Sequence, residues 1–377
     1  MKGAKGGGAG PRDGPSRREQ EKPQTTVVET SSETDEIAPP QPAAGGEAAT
    51  AAGKRTLILH IGANKTGSSA IQHFLRLNAA LLKSAGIAVA PGDLTPEGSV
   101  TGQHVPAIEA LRKDLETGKT EMSARLRALT QELPPDAKLL ISAENLSNPG
   151  GAHQLFADAA QAYDLRILLY IRRQDDLLLS SWQQWAGKVG DDFWAWMLQS
   201  VGVRGDWRVV LMQWEQIVPR DKIAVRIYDR ARLSGGDVVT DFAEWLGIGH
   251  VLPECRRDGD ANPSYSEAVL DFVQGNPQLF KNEHDVGMYR VIETLTGDAF
   301  HRNARESILT LKQRRTILAR YTGSNTWVRQ NYFPDSRAPL FKLPQASDYD
   351  FSAKEEIDRQ KWALVASLIY GLSKKVL

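Results

Sequence analysis

The chain holds one cysteine, Cys255, among 377 residues. A lone thiol excludes an intramolecular disulfide framework and a multi-cysteine metal site, and it suits a reducing, cytoplasmic setting. With no Cys-His pattern around it, Cys255 reads as a packed thiol rather than a nucleophile. Charge of either sign is also missing in excess: 46 lysines and arginines balance 46 aspartates and glutamates. A broad grip on polyanionic nucleic acid is therefore not expected, and any anion site must be local. No apolar run approaches the ~20 residues of a membrane span; the longest, such as 167–171, are strand-sized. Residues 1–53 have almost no large apolar side chain and are rich in Gly, Ala, Pro, Ser, Thr and Glu. Such a segment cannot bury enough surface to offset its ordering entropy and is expected to be a disordered tail, without the apolar core of a secretory signal.

From residue 54 onward, short apolar runs alternate with helical patterns. Strands are expected over 56–61, 87–90, 138–142, 166–171 and 222–228, with helices between them, including 68–84 and 155–163. This alternation indicates an α/β domain with a mostly parallel central sheet flanked by helices. After Asp237 helical periodicity takes over, over 237–246, 264–274, 307–321 and 355–372, so residues from about 237 to 377 are expected to form a helical C-terminal part. The Pro-containing stretch 333–348 reads as a surface connection, and 91–102 and 188–205 read as irregular. No internal repeat is visible.

The segment His60–Ser69, HIGANKTGSS, stands between the apolar run 57–61 and a helical pattern. A strand that ends in glycine and small hydroxyl residues and then opens a helix aims several backbone N–H groups and the positive helix end at one place. The segment looks like a phosphate-binding loop. The NTPase version, G-x-x-x-x-G-K-[ST], puts lysine after its second glycine; here Lys65 precedes Gly67. The order is not Walker A, and a plain strand-to-helix turn is the alternative reading.

Lysine, a small residue, glycine and two hydroxyls, in that order, resemble the 5′-phosphosulfate loop of sulfotransferases that use 3′-phosphoadenosine-5′-phosphosulfate (PAPS). The likeness extends to bacterial sulfotransferase-like proteins whose loop reads close to HIGxxKTGTTxIQ, continued here by Ile71 and Gln72. Weaker echoes are SAENLS (142–147), YDRARLSGGDVVTDFAEWLG (228–247), NPS (262–264) and SNTWVRQNYF (324–333), so the resemblance covers roughly 55–333. It implies a P-loop NTPase-like sulfotransferase fold. It also implies a second half-site, in which an arginine at a strand end and a serine eight residues later hold the 3′-phosphate, with an aromatic two residues beyond. Arg172, Ser180 and Trp182 in LRILLYIRRQDDLLLSSWQQW (165–185) match. Arg173 and Ser181 keep the same interval, but their aromatic position falls on Gln183. A dianionic phosphate suits a planar, permanently charged guanidinium and a short hydroxyl donor. The competing reading leaves both arginines in solvent, paired with Asp175 and Asp176.

The resemblance implies sulfuryl transfer to a hydroxyl of a carbohydrate or small metabolite, without a metal. Thr66, Gly67, Ser68 and Ser69 would cradle the 5′-phosphate. Lys65 would stabilise charge on the leaving oxygen. The acceptor hydroxyl needs a base, for which the candidates are His104, ranked first, and Glu144, at a strand end; each is alternatively an ordinary hydrogen-bonded residue. Arg256 and Arg257 either add to the 3′-phosphate site or are loop charges. The tryptophans at 182, 185, 194, 196, 207 and 214 read as core or as aromatic platforms for an acceptor. A kinase or NTPase with a degenerate loop, wanting an acidic metal ligand for which only Glu144 comes near, and a catalytically silent nucleotide-binding protein are the alternative functions.

Overall fold

The computed structural model describes residues 53–148, 150–190, 192–257, 264–303 and 305–376. The expected tail, apart from Gly53, lies outside the described residues, as do Asn262 and Pro263 of the NPS motif. Five strands, β1 (Thr56–His60), β2 (Ile87–Val89), β3 (Lys138–Ser142), β4 (Asp164–Ile171) and β5 (Ile223–Ile227), form one sheet in the order β2-β3-β1-β4-β5. Every pairing is parallel, with His60 opposite Ser142 on one side and Leu168 on the other. The expected α/β architecture is present.

Period-two alternation sends residues of each strand into two separate cores. Leu57, Leu59, Ile141, Ile167 and Leu169 enter one; Ile58, Leu140, Leu168 and Tyr170 enter the other. A sheet buried on both faces needs helices on both. The N-terminal half supplies α1 (Ser68–Leu77), α2 (Ala79–Ser84), α3 (Val105–Arg112), α4 (Leu115–Gln131) and α5 (Ala157–Ala162). After β4 come α6 (Gln174–Gln184), α7 (Phe193–Ser200) and α8 (Trp207–Trp214), and after β5 comes α9 (Val238–Trp245). The C-terminal part is helical, with α10 (Glu267–Gln274), α11 (Gly287–Thr296), α12 (Leu311–Ala319), α13 (Thr322–Tyr332) and α14 (Lys354–Val376).

Among the expected boundaries that move, three have a visible cause. The helix expected over 68–84 breaks at Asn78, whose amide donates to Phe74 O and Arg256 O while its carbonyl accepts from Arg256 N. The stretch 188–205, read as irregular, contains α7, capped by the Asp192 carboxylate accepting from Trp194 N and Ala195 N and anchored by buried Phe193 and Met197. The helix expected from 307 starts at Leu311, because Thr310 and Gln313 form a reciprocal capping box.

One buried ion cluster ties β4, β5 and α9. The Asp241 carboxylate, fully buried, accepts from the Arg226 guanidinium twice, from Tyr170 Oη at 2.6 Å and from Ser234 N at 3.1 Å. Removing one partner of a buried pair leaves the other charge uncompensated. Asp241→Ala is expected to destabilise the fold by about 3–5 kcal/mol, read as a lower urea midpoint with unchanged slope.

Candidate functional site

The strand order creates the crevice. β1 lies between β3 and β4, and the elements that follow β1 and β4 leave to opposite faces: Ile71, Phe74 and Leu75 of α1 pack in one core, Leu177 of α6 and Trp207 of α8 in the other. At such a reversal the carboxyl ends of two adjacent strands stay uncovered.

The loop after β1 is shaped from its root. His60 is fully buried, with Nδ1 2.8 Å from Ser142 Oγ, and burial pushes its imidazole down to about pKa 3, so it is neutral. A Cβ on residue 62 would lie 2.5 Å from His60 Nε2, which requires glycine there. Lys65 (φ 66°) and Gly67 (φ 81°) both take the left-handed conformation around Thr66. This alternation of hand turns successive N–H groups toward one point, at the cost of strain in a lysine backbone. Thr66 Oγ1 is turned inward onto Ala63 O at 2.6 Å. The N-cap Gly67 has no side chain to cap α1, so its first-turn N–H groups have no side-chain cap among the described residues.

The second motif arrives from β4. Arg172 Nη1 donates to Lys65 O at 2.9 Å and to Ser180 Oγ at 3.3 Å, and the guanidinium lies over the Tyr228 ring, 5.6 Å from its centroid. The Trp207 indole N–H holds the Arg172 carbonyl at 3.1 Å. Among the described residues no carboxylate forms a salt bridge with Arg172. Arg173 is different: it pairs with Asp175 at 2.6 Å and Asp176 at 3.1 Å, both shared with Arg314, and reaches Tyr349 Oη. The reading that paired the arginines with these aspartates thus describes Arg173, in a buried rather than solvated network. Ser181, the partner in the alternative register, is buried.

Lys65 has no acceptor or carboxylate partner for its ammonium among the described residues. Burial, then the nearby charges of Arg172 and Lys188, pull its pKa down to about 8. Lys188 is itself buried and donates to the carbonyls of Glu283 at 2.8 Å and Asp285 at 3.1 Å. Half-buried Arg302 feels Asp176, Arg172 and Arg314: burial depresses its pKa, Asp176 raises it, and Arg172 and Arg314 oppose it as like charges. Neither Lys188 nor Arg302 was a sequence candidate, since an isolated basic residue in a loop carries no periodicity. Arg257 instead pairs with Asp237 at 3.2 Å on the surface, an ordinary loop charge.

The two candidate bases separate sharply. His104 is fully buried; its Nε2 lies 2.9 Å from Ala90 O, and its Nδ1 accepts from Ser142 N at 3.0 Å. The neutral tautomer protonated on Nε2 satisfies both, and burial lowers its pKa. No ring nitrogen is left for an acceptor, so this residue braces β2 against β3, and the candidate base shifts from His104 to Glu144. Glu144 is half-buried at the exit of β3 and accepts from Gln72 of α1 at 2.5 Å through one oxygen. The other oxygen has no partner among the described residues. Trp182, Trp207 and Trp214 are core; Trp185, Trp194 and Trp196 are half-buried, with Arg204 over Trp185 and Trp196.

No family model matches the chain. An uncharacterized protein of Archaeoglobus fulgidus is 31% identical over 171 residues, 45% of this chain and 46% of that protein. The chain thus spans about half the length of that relative. A sulfotransferase from Alicyclobacillus acidocaldarius, known from a crystal structure, aligns with 52% of this chain and 81% of its own at 18% identity and TM-score 0.33. At that similarity function is decided by this chain's residues.

The loop tip has no spare room. A Cβ on residue 67 would meet Val238 Cγ1 at 2.8 Å and Tyr228 Cε2 at 2.9 Å, in a left-handed backbone. Gly67→Ala is expected to cost at least about 1–2 kcal/mol, measured by urea unfolding.

Proposed function

We propose that the chain is a sulfotransferase that moves a sulfuryl group from PAPS to a hydroxyl of a carbohydrate or small metabolite. The observation that carries this reading is the half-buried Lys65 ammonium, without an acceptor among the described residues and tied through its own carbonyl to Arg172. A desolvated cation beside further cations is an anion site by electrostatics, and the two loops are close enough for one doubly phosphorylated nucleotide to touch both.

In this reading the N–H groups of Thr66, Gly67, Ser68 and Ser69 hold the 5′-phosphate, and Ser68 and Ser69 add hydroxyls. Arg172, Ser180 and Arg302 take the 3′-phosphate, where a fork of donors and a hydroxyl match a dianion. Lys65 contacts the oxygen bridging phosphorus and sulfur. The acceptor oxygen attacks sulfur in line, the sulfur–oxygen bond to the phosphate breaks, and the acceptor proton passes to Glu144. Negative charge grows on the leaving oxygen during that step, so Lys65 binds the transition state more strongly than the ground state. The chemistry is chiefly positioning and charge stabilisation, as in phosphoryl transfer.

Lys65→Ala is expected to lower the transfer rate by about 10²–10³, and Arg172→Ala to weaken nucleotide binding by about 1.5–3 kcal/mol. Calorimetry with 3′-phosphoadenosine-5′-phosphate checks the second, and no measurable affinity in the unaltered protein overturns the reading. So does magnesium-dependent ATP turnover, whereas nucleotide binding without transfer to a broad hydroxyl panel leaves a silent binding protein.

The depressed Lys65 pKa adds a signed expectation. Below about pH 8 the ammonium is charged and binds the nucleotide fully. Above it the free protein must take up a proton on binding, because the bound anion favours the charged form. Affinity is therefore expected to fall as pH rises through about 8, with proton uptake visible in buffers of different ionisation enthalpy and absent in Lys65→Ala.

A further inference from the structure

The final helix uses only one of its two apolar faces. Leu364 and Leu368 of α14 are buried in a cluster with Val269 and Val273 of α10 and Tyr289 and Ile292 of α11. On the opposite side Trp362, Ala366, Ile369 and Tyr370 recur at helical spacing, and Trp362 is 75% exposed, Ile369 64% and Tyr370 63%. A continuous aromatic and aliphatic stripe at this exposure marks an interaction surface. We infer that this face is the homodimer interface, closed by a second copy of α14 running antiparallel across it.

Three features select a second copy. First, the stripe is self-complementary about Ala366: a two-fold axis there sets Trp362 of each copy against Tyr370 of the other, and the small side chain at the crossing lets the helices approach. Second, Lys374 near the finish of the helix has an acidic counterpart near the start in Asp358, which stands in a segment, 354–361, where three acids balance three bases. The same axis sets Asp358 opposite Lys374. Third, a cavity of about 570 Å³ lined by Asp271, Asn276, Asp358, Lys361, Trp362 and Val365 opens beside the start of the stripe. It carries two carboxylates, with Lys361 bridging Asp271 at 2.5 Å and Asp358 at 3.0 Å. One lysine leaves a negative surplus, which the basic end of a second helix would meet.

Sedimentation velocity on the full chain tests this, with circular dichroism as the check on folding. The unaltered protein is expected at twice the chain mass. Trp362→Glu with Ile369→Glu is expected to raise the dimer dissociation constant at least about a hundredfold without loss of helicity. Asp358→Lys alone weakens the dimer, and the exchange of Asp358→Lys with Lys374→Asp restores it, which a merely sticky surface does not do. A monomer at all concentrations overturns the inference, and so does a dimer that survives the double glutamate variant. Co-sedimentation with anionic phosphatidylserine vesicles in place of self-association assigns the face to a membrane surface and equally overturns it.

Discussion

The site depends on one contact, the Arg172 guanidinium against the Lys65 carbonyl. A main-chain oxygen fixes the arginine without neutralising it, so the loop is braced while the charge stays available. Carboxylate bracing would have spent that charge. Parallel neighbours lie about 4.8 Å apart, so loops leaving the ends of β1 and β4 are close from the start. Helices departing to opposite faces keep the gap between them open.

Charge in this corner is divided between adjacent residues. Arg173 gives its charge to Asp175 and Asp176, together with Arg314, and this network pins the start of α6 to α12 and to Tyr349. Burial pushes the Asp176 carboxyl up, but Arg173, Arg172 and Arg314 hold it below the usual range. Two arginines in sequence thus have opposite fates, one built into the frame and one directed at the crevice. The cost of partly burying Lys65 without an acceptor among the described residues shows as a depressed pKa rather than a broken fold, since a lysine can release its proton and an arginine cannot.

Much of this was legible in the residues. Strand runs bounded by turn chemistry located all five strands within a few residues, because parallel strands buried on both faces are written as continuous apolar stretches. The loop from His60 to Ser69 was visible because local order encodes local geometry, whereas the Arg172–Ser180 interval was read through the resemblance to sulfotransferases. What escaped depends on contacts distant in sequence. The break at Asn78 needs Arg256, the commitment of His104 needs both Ala90 and Ser142, and the electrostatic reach of Lys188 to Lys65 and of Arg302 to Arg172 needs parts of the chain distant in sequence to be folded together. Helix α7 was missed because its tryptophans and small residues hide the amphipathic period, although Asp192 was a cap signal in plain view.

His60 and Gly62 sit at the root of the loop in a steric lock: the imidazole fills the space that any larger residue at 62 would take. Neither position can drift alone. A lineage that enlarges residue 62 must shrink residue 60 in the same step, and a smaller residue 60 would give up the hydrogen bond to Ser142 that joins β1 to β3. Divergent descendants of this chain should therefore vary the two together or not at all.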